Sequence, residues 1–207
     1  MSKGPAYKVK FRRRREGKTD FYTRKRLIMS RKPRLVVRSS NRYITVQVID
    51  ARLDGDIVLA SSHSGELLKK FAWLASCKNV PAAYLTGLLC GFRALSKGVK
   101  EAVLDIGLHT PSHGARVFAA MKGALDAGLK LKHESDVFPD DSRIRGEHIA
   151  NYASKLLTEN PKLYEERFSQ YLSKGLKPED LPKHFDQVKS KIEDNFKDQV
   201  REGVVRR

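Results

Sequence analysis

The chain has 207 residues, of which 40% are hydrophobic and 31% are charged, and its formal net charge is +17 at pH 7. This length and apolar content are sufficient for a sizeable buried core. No run of about 18 apolar residues is present, which argues against a transmembrane helix, and residues 1–10 contain no apolar stretch typical of a signal peptide. We therefore expect a cytoplasmic protein with no membrane partner.

The positive charge is concentrated at one end of the chain. Of the 41 Lys and Arg residues, 16 precede position 43, where Glu16 and Asp20 are the only acidic residues. Residues 1–42 therefore carry +14 of the total charge, and the remaining 165 residues carry only +3. A cationic segment of this density repels itself, so we expect a polyanionic partner that neutralises it.

Residues 1–32 are predicted to form a basic N-terminal arm. A short helix is expected over residues 19–29, with Thr19 or Asp20 as its N-cap. We expect most of the arm to be disordered without a partner, because it can bury too little surface to offset the loss of chain entropy.

The arm's cations favour nucleic acid as the partner. Arginine forks bind phosphate oxygens through two hydrogen bonds, and Phe11, Phe21 and Tyr22 lie among them, where they can stack on unpaired bases or pack beneath the arm. The alternatives are a targeting signal or a solvated tail, but the basic segment is longer than a typical signal. It comprises Arg12, Arg13, Arg14, Arg15, Lys18, Arg24, Lys25, Arg26, Arg31 and Lys32.

Residues 33–131 are predicted to form an α/β body that begins with three strands. Apolar residues run together or alternate in three short segments, at 34–38, 43–49 and 57–60. Turn residues separate these segments at 39–42 and at Asp54-Gly55. The three strands therefore form an antiparallel meander over residues 34–61.

Two helices are predicted to follow the meander. Apolar residues have helical spacing over 66–75, with Ser64 as the expected N-cap, and again in a second segment that ends at Gly98. Cys77 and Cys90 lie among apolar residues and lack CxxC spacing. We expect buried, reduced thiols, with a disulfide as the alternative.

A strand and a helix complete the predicted body. The apolar run 102–106 is typical of an interior strand, which we expect to lie parallel to an earlier strand. A helix is expected over 116–127, with Gly128 as its C-cap, and the amides at its start, near Gly114, are able to bind a phosphate. The fold class is therefore α/β, a mixed sheet with crossover helices.

Residues 132–207 are predicted to be a connector followed by a helical C-terminal extension. The connector covers 133–141, and residues 145–200 have helical patterns that break near 160–161 and 175–182. The last helix places four apolar residues on one face, namely Phe185, Val188, Ile192 and Phe196. Because this extension is nearly neutral, we expect it to pack or to contact protein partners rather than to recognise charge.

Two motifs are too weak to predict a cofactor or metal site. Residues 17–19, Gly-Lys-Thr, resemble the end of a P-loop, but Arg12 stands where that motif requires its first glycine. His109 and His113 are four residues apart, but Pro111 indicates a loop and no third ligand is evident. We therefore expect neither a cofactor nor a metal.

Acidic residues near strand ends leave one enzymatic alternative, an RNA-processing nuclease of ribonuclease-H-like topology. Two-metal cleavage needs several carboxylates that converge on ions about 4 Å apart. The first strand, residues 34–38, lacks the central Asp of that arrangement. We therefore predict no catalytic residues and interpret the acidic residues as turn residues, namely Asp50, Asp54, Asp56 and Asp105.

Four blocks of the sequence carry a family resemblance. They are RRRREGKTDFYTRKRLI at 12–28, KPRLVVRSSNRYITVQVID at 32–50, VLDIG with HGARVFAAMKGALDAGL within 99–129, and the connector segment 138–146. Together they span roughly residues 8–150. These blocks resemble large-subunit ribosomal protein eighteen, a universal family, in its archaeal and eukaryotic branch, with an archaeal source expected.

The resemblance implies a structural protein that binds 5S ribosomal RNA and anchors it to the large-subunit (23S-type) ribosomal RNA. Its place would be the central protuberance of the ribosome, beside neighbouring ribosomal proteins. Residues 106–112 differ from the corresponding bacterial loop. By position, the resemblance implies RNA contacts for Arg12, Arg13, Arg14, Arg15, Lys18, Thr19, Arg24, Lys25, Arg26, Arg34, Arg38, Ser39, Asn41, Arg42, His113 and Gly114.

Overall fold

One five-stranded mixed sheet lies at the centre of the protein. In the computed structural model, the backbone is described for residues 4–204 and the side chains for residues 4–196. The strands are β1 (Arg34–Ser39), β2 (Ile44–Ala51), β3 (Asp56–His63), β4 (Glu101–Asp105) and β5 (Lys130–Leu131). Their spatial order is β3-β2-β1-β4-β5. The strand β1 pairs antiparallel with β2 and parallel with β4, and β2 pairs antiparallel with β3, which confirms the predicted meander and parallel strand.

Helices flank the sheet and follow it. They are α1 (Arg12–Arg15), α2 (Phe21–Met29), α3 (Ser64–Phe71), α4 (Val80–Ser96), α5 (Arg116–Asp126), α6 (Asp141–Arg145), α7 (Glu147–Glu159), α8 (Pro161–Leu172) and α9 (Leu181–Val204). Single 3-10 turns occur at Ser135–Val137 and Pro178–Asp180. The mixed α/β class, with a basic arm and C-terminal helices, is therefore confirmed.

The crossover helices α4 and α5 pack unusually closely over one face of the sheet. A Cβ atom on Gly87 would overlap the backbone carbonyl of Ala120, and one on Gly123 would overlap the carbonyl of Tyr84. Glycine is therefore required at the crossing, where it brings two helix backbones into contact and positions the sheet beneath them.

The start and the end of α3 both differ from the prediction. His63, not Ser64, is the N-cap: its Nδ1 accepts from the Gly65 amide, and the Glu66 carboxylate accepts from the His63 amide. The Ser64 hydroxyl is instead buried and accepts from the Ile44 amide at 2.9 Å. The helix ends at Phe71 because the backbone of Ala72 is left-handed, with φ of 55°. The apolar residues that follow therefore lie in a loop, from which they pack against the core.

The C-terminal extension shares the core of the body. The four apolar residues predicted for one face of α9 are all buried in the same hydrophobic cluster as the strands. His184 stacks on Trp73 with ring centroids 5.2 Å apart, and its Nε2 accepts from the Leu74 amide at 3.1 Å. The core therefore runs across the boundary expected at position 132.

Both cysteines are buried free thiols, as predicted. Burial raises the pKa of Cys90 to about 11 and also raises the pKa of Cys77, so both stay protonated near neutral pH. Within residues 4–204, no helix is long and apolar enough to cross a membrane.

Candidate nucleic-acid interface

The sheet face opposite α4 and α5 lies next to the arm. Leu35 and Val37 of β1 belong to the hydrophobic core, so Arg34 and Arg38 point to the other face, because strand side chains alternate. The arm helix α2 contacts β4. This helix begins at Asp20, whose carboxylate accepts from the amides of the following residues, so the choice between Thr19 and Asp20 as N-cap resolves to Asp20.

Five charged side chains alternate in sign across this face, and we name them the ion-pair chain. The arm residue Arg24 binds Asp56 at 2.9 Å, and Asp56 accepts from Arg34 at 2.8 Å. Arg34 binds Asp105 at 2.7 Å, and Asp105 accepts from Arg38 at 2.9 Å. The chain therefore joins α2 to β3, β1 and β4, which are distant in sequence, and fixes where the arm leaves the sheet.

Both carboxylates of the ion-pair chain are held in the charged form. Burial alone would raise the pKa of Asp105, but hydrogen bonds and charge from Arg38 and Arg34 outweigh it and hold that pKa below its ordinary value. Burial acts on Asp56 in the same way, and Arg24 and Arg34 lower its pKa below the ordinary value. These aspartates are therefore ionised near neutral pH, as the arginines beside them require.

Arg34 is not available for its expected RNA contact in this conformation. Its side chain is only 3% exposed, and both terminal nitrogens are bound to Asp56 and Asp105. A guanidinium in a buried strand must be paired, and here the pairing is internal. By contrast, Arg24 and Arg38 keep 35% and 44% of their side chains exposed and still have surface to offer a ligand.

The interpretation of Asp50, Asp56 and Asp105 as turn residues is wrong, since all three lie within strands. Asp56 and Asp105 each pair with two arginines, whose positive charge opposes a metal cation. Among the described residues, no group of three His, Cys, Asp or Glu side chains is placed to hold a metal.

The start of the arm presents four arginines on α1. Arg12 and Lys18 pair with Glu16 at 3.7 and 2.8 Å, and the Arg13 Nε donates to Thr19 Oγ1 at 2.9 Å. Arg14 and Arg15 are exposed and form no ion pair within the described residues. This helix was not predicted, and the expected disorder of the free arm stays a prediction.

The arm aromatics divide between packing and exposure. Phe11 contacts Phe21 edge to face at 5.3 Å, although Phe11 remains 74% exposed and Tyr22 is 83% exposed. Large exposed rings beside cations are suited to stacking on bases.

The turn between β1 and β2 places three predicted contact residues at the surface. The turn closes through Ser40, whose amide donates to the Tyr43 carbonyl at 2.8 Å. Asn41 and Arg42 are exposed at its tip, and Ser39 is half-buried beside them. The arm, the ion-pair chain and this turn therefore present predicted contact residues from separate parts of the chain.

The loop before α5 is hydrogen-bonded to the connector. The His113 Nδ1 lies 2.9 Å from the Asp136 carbonyl, and the Gly114 amide donates to the Val137 carbonyl at 3.0 Å. The Gly114 amide is therefore already used as a donor in this conformation, and its expected contact with RNA stays a prediction. The His113 ring is exposed.

Reasoning from the sequence missed the ion-pair chain. Its signal was present: Arg34 directly precedes the apolar residues of β1, and a buried arginine requires a buried carboxylate. Asp105 at the end of the interior strand was the matching residue. Gly107 completes the arrangement, since it donates to Asp105 at 2.9 Å and a Cβ there would lie 2.8 Å from the Arg38 guanidinium carbon.

Similarity to known proteins covers nearly the whole chain. A family model described as "Ribosomal large subunit proteins 60S L5, and 50S L18" matches residues 5–102 and 96–134. The large ribosomal subunit protein uL18 of Desulfurococcus amylolyticus is 58% identical over 95% of this chain and 100% of its own length. Those of Aeropyrum pernix and Caldivirga maquilingensis are each 56% identical over 95% of this chain, and over 92% and 95% of their own lengths. The resemblance seen in the sequence blocks is thereby confirmed, and the chain belongs to the large ribosomal subunit protein uL18 family, in its archaeal type.

Proposed function

We propose that this protein is a structural constituent of the large ribosomal subunit that binds 5S ribosomal RNA. It anchors that RNA to the large-subunit ribosomal RNA in the central protuberance, beside neighbouring ribosomal proteins. It performs no catalysis, and it acts in the cytoplasm as part of the ribosome. The similarity to uL18 proteins supports the ribosomal role, and the distribution of charge supports the RNA contacts.

The observation that carries the proposal is the excess of arm cations without an acidic partner. Within the described residues, several predicted contact residues form no ion pair, namely Arg13, Arg14, Arg15, Lys25, Arg26 and Arg42. Such cations bind phosphates and release counterions. Arg12, Lys18, Thr19, Arg24, Arg38, Ser39, Asn41, His113 and Gly114 remain in the proposed interface. Arg34 pairs inside the protein.

The ion-pair chain has a defined part in this mechanism. It holds α2 on the sheet, so the arm leaves the body in one direction with Arg24 and Arg38 at its base. Phosphate contacts from the arm then fix the register of the RNA, and the β1–β2 turn adds contacts that depend on the shape of the RNA.

Salt dependence of binding tests the electrostatic mechanism. If roughly 8 phosphates are neutralised, log K for 5S ribosomal RNA falls against log salt with a slope of about −6 to −7. The triple variant Arg13→Gln, Arg14→Gln, Arg15→Gln should lower the magnitude of this slope by about 2–3. Filter binding at several potassium chloride concentrations measures both slopes.

A matched triple variant removes the same charge from the C-terminal extension. Lys155→Gln, Lys162→Gln and Lys183→Gln change exposed residues and should leave the slope within experimental error. A slope near zero for the native protein would overturn the proposal. Equal losses in the two variants would instead indicate a non-specific effect of net charge.

Deletion of residues 1–32 separates the arm from the body. Circular dichroism should report a folded body, and binding to 5S ribosomal RNA should be much weaker. Incubation of RNA with magnesium or manganese addresses the nuclease alternative: we expect intact RNA, whereas metal-dependent cleavage by the native protein would favour the enzyme.

A further inference from the structure

A cationic concavity, separate from the arm, lies between the β1–β2 turn and the end of α8. Its volume is about 390 Å³, within the range of about 300–1,000 Å³ that is usual for ligand sites. We name it the turn pocket. Three cations, two amides and one aromatic ring line it, namely Arg42, Lys78, Lys174, Asn41, Gln170 and Tyr43.

The turn pocket has an uncompensated positive charge. Among the residues whose side chains the structure describes, no carboxylate lines it, and Arg42, Lys78 and Lys174 form no ion pair. A concavity of about 580 Å³ between α4, α6 and α9 differs in this respect, because four acidic side chains line it, namely Asp126, Asp141, Glu147 and Asp186. The cations beside the arm are partly neutralised by the ion-pair chain. The turn pocket is therefore suited to an anion.

The walls of the turn pocket are held together by specific contacts. The Tyr171 hydroxyl of α8 accepts from the Ser76 amide at 3.4 Å, and Arg116 of α5 donates to the Lys78 carbonyl at 3.3 Å. Leu68 and the buried Ala75 also line the pocket. The site is thus formed before any ligand arrives, which reduces the entropy lost on binding.

We propose that the turn pocket binds one unpaired nucleotide of the RNA, an inference that rests on the proposed RNA-binding function. The three cations contact the phosphate. Tyr43 is 38% exposed and offers its ring to the base, while the side-chain amides of Asn41 and Gln170 are able to hydrogen-bond to a base edge. Through this site the C-terminal helices, which are nearly neutral overall, contribute directly to RNA recognition.

The lining chemistry favours a nucleotide over an acidic peptide. A carboxylate ligand would use the cations but would leave the aromatic ring and both amides without a role. The pocket also begins at the turn that carries Asn41 and Arg42, so an RNA strand on the turn would reach it without interruption. Lys78, Gln170 and Lys174 lie outside every contact expected from the sequence.

The test uses the full chain, labelled with nitrogen-15, and a single-stranded hexanucleotide of mixed sequence as the probe. On addition of the hexanucleotide, the amide chemical shifts of Tyr43, Ser76 and Gln170 should change, as well as those of the arm. The variant Lys78→Gln with Lys174→Gln should weaken the affinity read at these amides at least tenfold. Its matched control, Lys155→Gln with Lys162→Gln, should change it less than twofold.

The aromatic contact has its own pair of variants. Tyr43→Ala should weaken binding at the pocket amides about tenfold, because base stacking is lost, whereas Tyr43→Phe should retain affinity within twofold. Tyr43 is exposed enough for the fold to persist in both variants, and the melting temperature of each variant verifies this.

Several outcomes would overturn the inference. Shifts confined to residues 4–32, or equal affinities for the pocket variant and its control, would show that no nucleotide enters. The inference would also be overturned if a poly-glutamate peptide shifted the resonances of the pocket amides and the hexanucleotide did not. A parallel measurement of binding to 5S ribosomal RNA distinguishes the two proposals. If the pocket amides do not shift but 5S ribosomal RNA still binds, only the nucleotide site is rejected. If the pocket amides shift but 5S ribosomal RNA does not bind, only the proposed function is rejected.

Discussion

Asp105→Asn should destabilise the protein strongly, although it changes a single oxygen to an amide group. Asp105 is 5% exposed and accepts from two arginines. The substitution leaves the buried Arg34 with Asp56 as its one remaining ionic partner and places an amide donor against guanidinium donors. The perturbation therefore acts through an uncompensated buried charge rather than through volume.

The magnitude follows from that burial. Removal of one partner from a buried ion pair costs about 3–5 kcal/mol, and we expect about 3 kcal/mol because Arg34 keeps Asp56. For a chain of this size, the melting temperature should fall by about 6–12 °C. Because the native pKa of Asp105 lies below its ordinary value of 3.8, its stabilisation is complete above that pH and is lost as the pH falls further. The variant should lack this part of the acid transition.

Urea unfolding followed by circular dichroism measures the change. Asp50→Asn is the control, since it removes an exposed pair with Arg52 at 3.5 Å and should change the free energy of unfolding by less than about 0.5 kcal/mol. The double variant Arg34→Met, Asp105→Leu should be more stable than Asp105→Asn, because Asp56 keeps Arg24 and no charge is left buried alone. A loss below about 1 kcal/mol for Asp105→Asn would refute this reasoning.

Three further predictions concern the packing of the helices. Gly123→Ala should lower the free energy of unfolding by about 1–3 kcal/mol, because the new methyl group overlaps the backbone of α4 and this outweighs the gain in helix propensity. Ile192→Ala should lower it by about 2–5 kcal/mol, since this residue is fully buried in the shared core. His184→Phe should lower it by about 1–3 kcal/mol at pH 7, because the Leu74 amide loses its acceptor. Burial and the charge of Lys191 lower the pKa of His184 below 6.5. The native protein therefore loses stability as the pH falls from 6.5 towards that pKa, and His184→Phe should lose less. The fluorescence of Trp73, the single tryptophan, reports the unfolding transition.

Controls for these variants come from the exposed surface. Gly4→Ala, where a Cβ meets no atom within 4 Å, and Lys191→Ala, on the exposed side of α9, should both be close to neutral. Native stability after Ile192→Ala would contradict a core that includes α9. An unchanged pH dependence in His184→Phe would assign the acid sensitivity to another group, such as His148, whose pKa burial also lowers.

Local patterns in the sequence predicted most of the secondary structure correctly. The alternation in β2, the apolar run of β4 and the breaks around α8 each depend on residues close to one another, so periodicity and turn chemistry are sufficient to place them. The N-cap of α3 is an exception that depends on a contact distant in the sequence. Ser64 and His63 are both able to cap a helix, and the choice depends on which side chain is needed elsewhere; here Ser64 is needed at the Ile44 amide.

The candidate site was only partly predictable. The excess charge of residues 1–42 and the matching blocks are properties of the sequence itself, and they led to a polyanionic partner and to the family. Neither property states which cations are free. That depends on pairings such as Arg34 with Asp105, which are 71 residues apart, and on Lys174, which lines the turn pocket from the turn after α8.

The sequence by itself therefore determined most of the strands and helices, the cationic arm and the family of this protein, because each is recorded in neighbouring residues or in matched blocks. Tertiary structure alone decided that Arg34 is buried, that the Gly114 amide is already used, and that α9 completes the core. The physical reason is that charge and hydrogen-bond donors are consumed by partners distant in the chain. Whether a given arginine serves the fold or a ligand depends on the carboxylate that the fold brings to it.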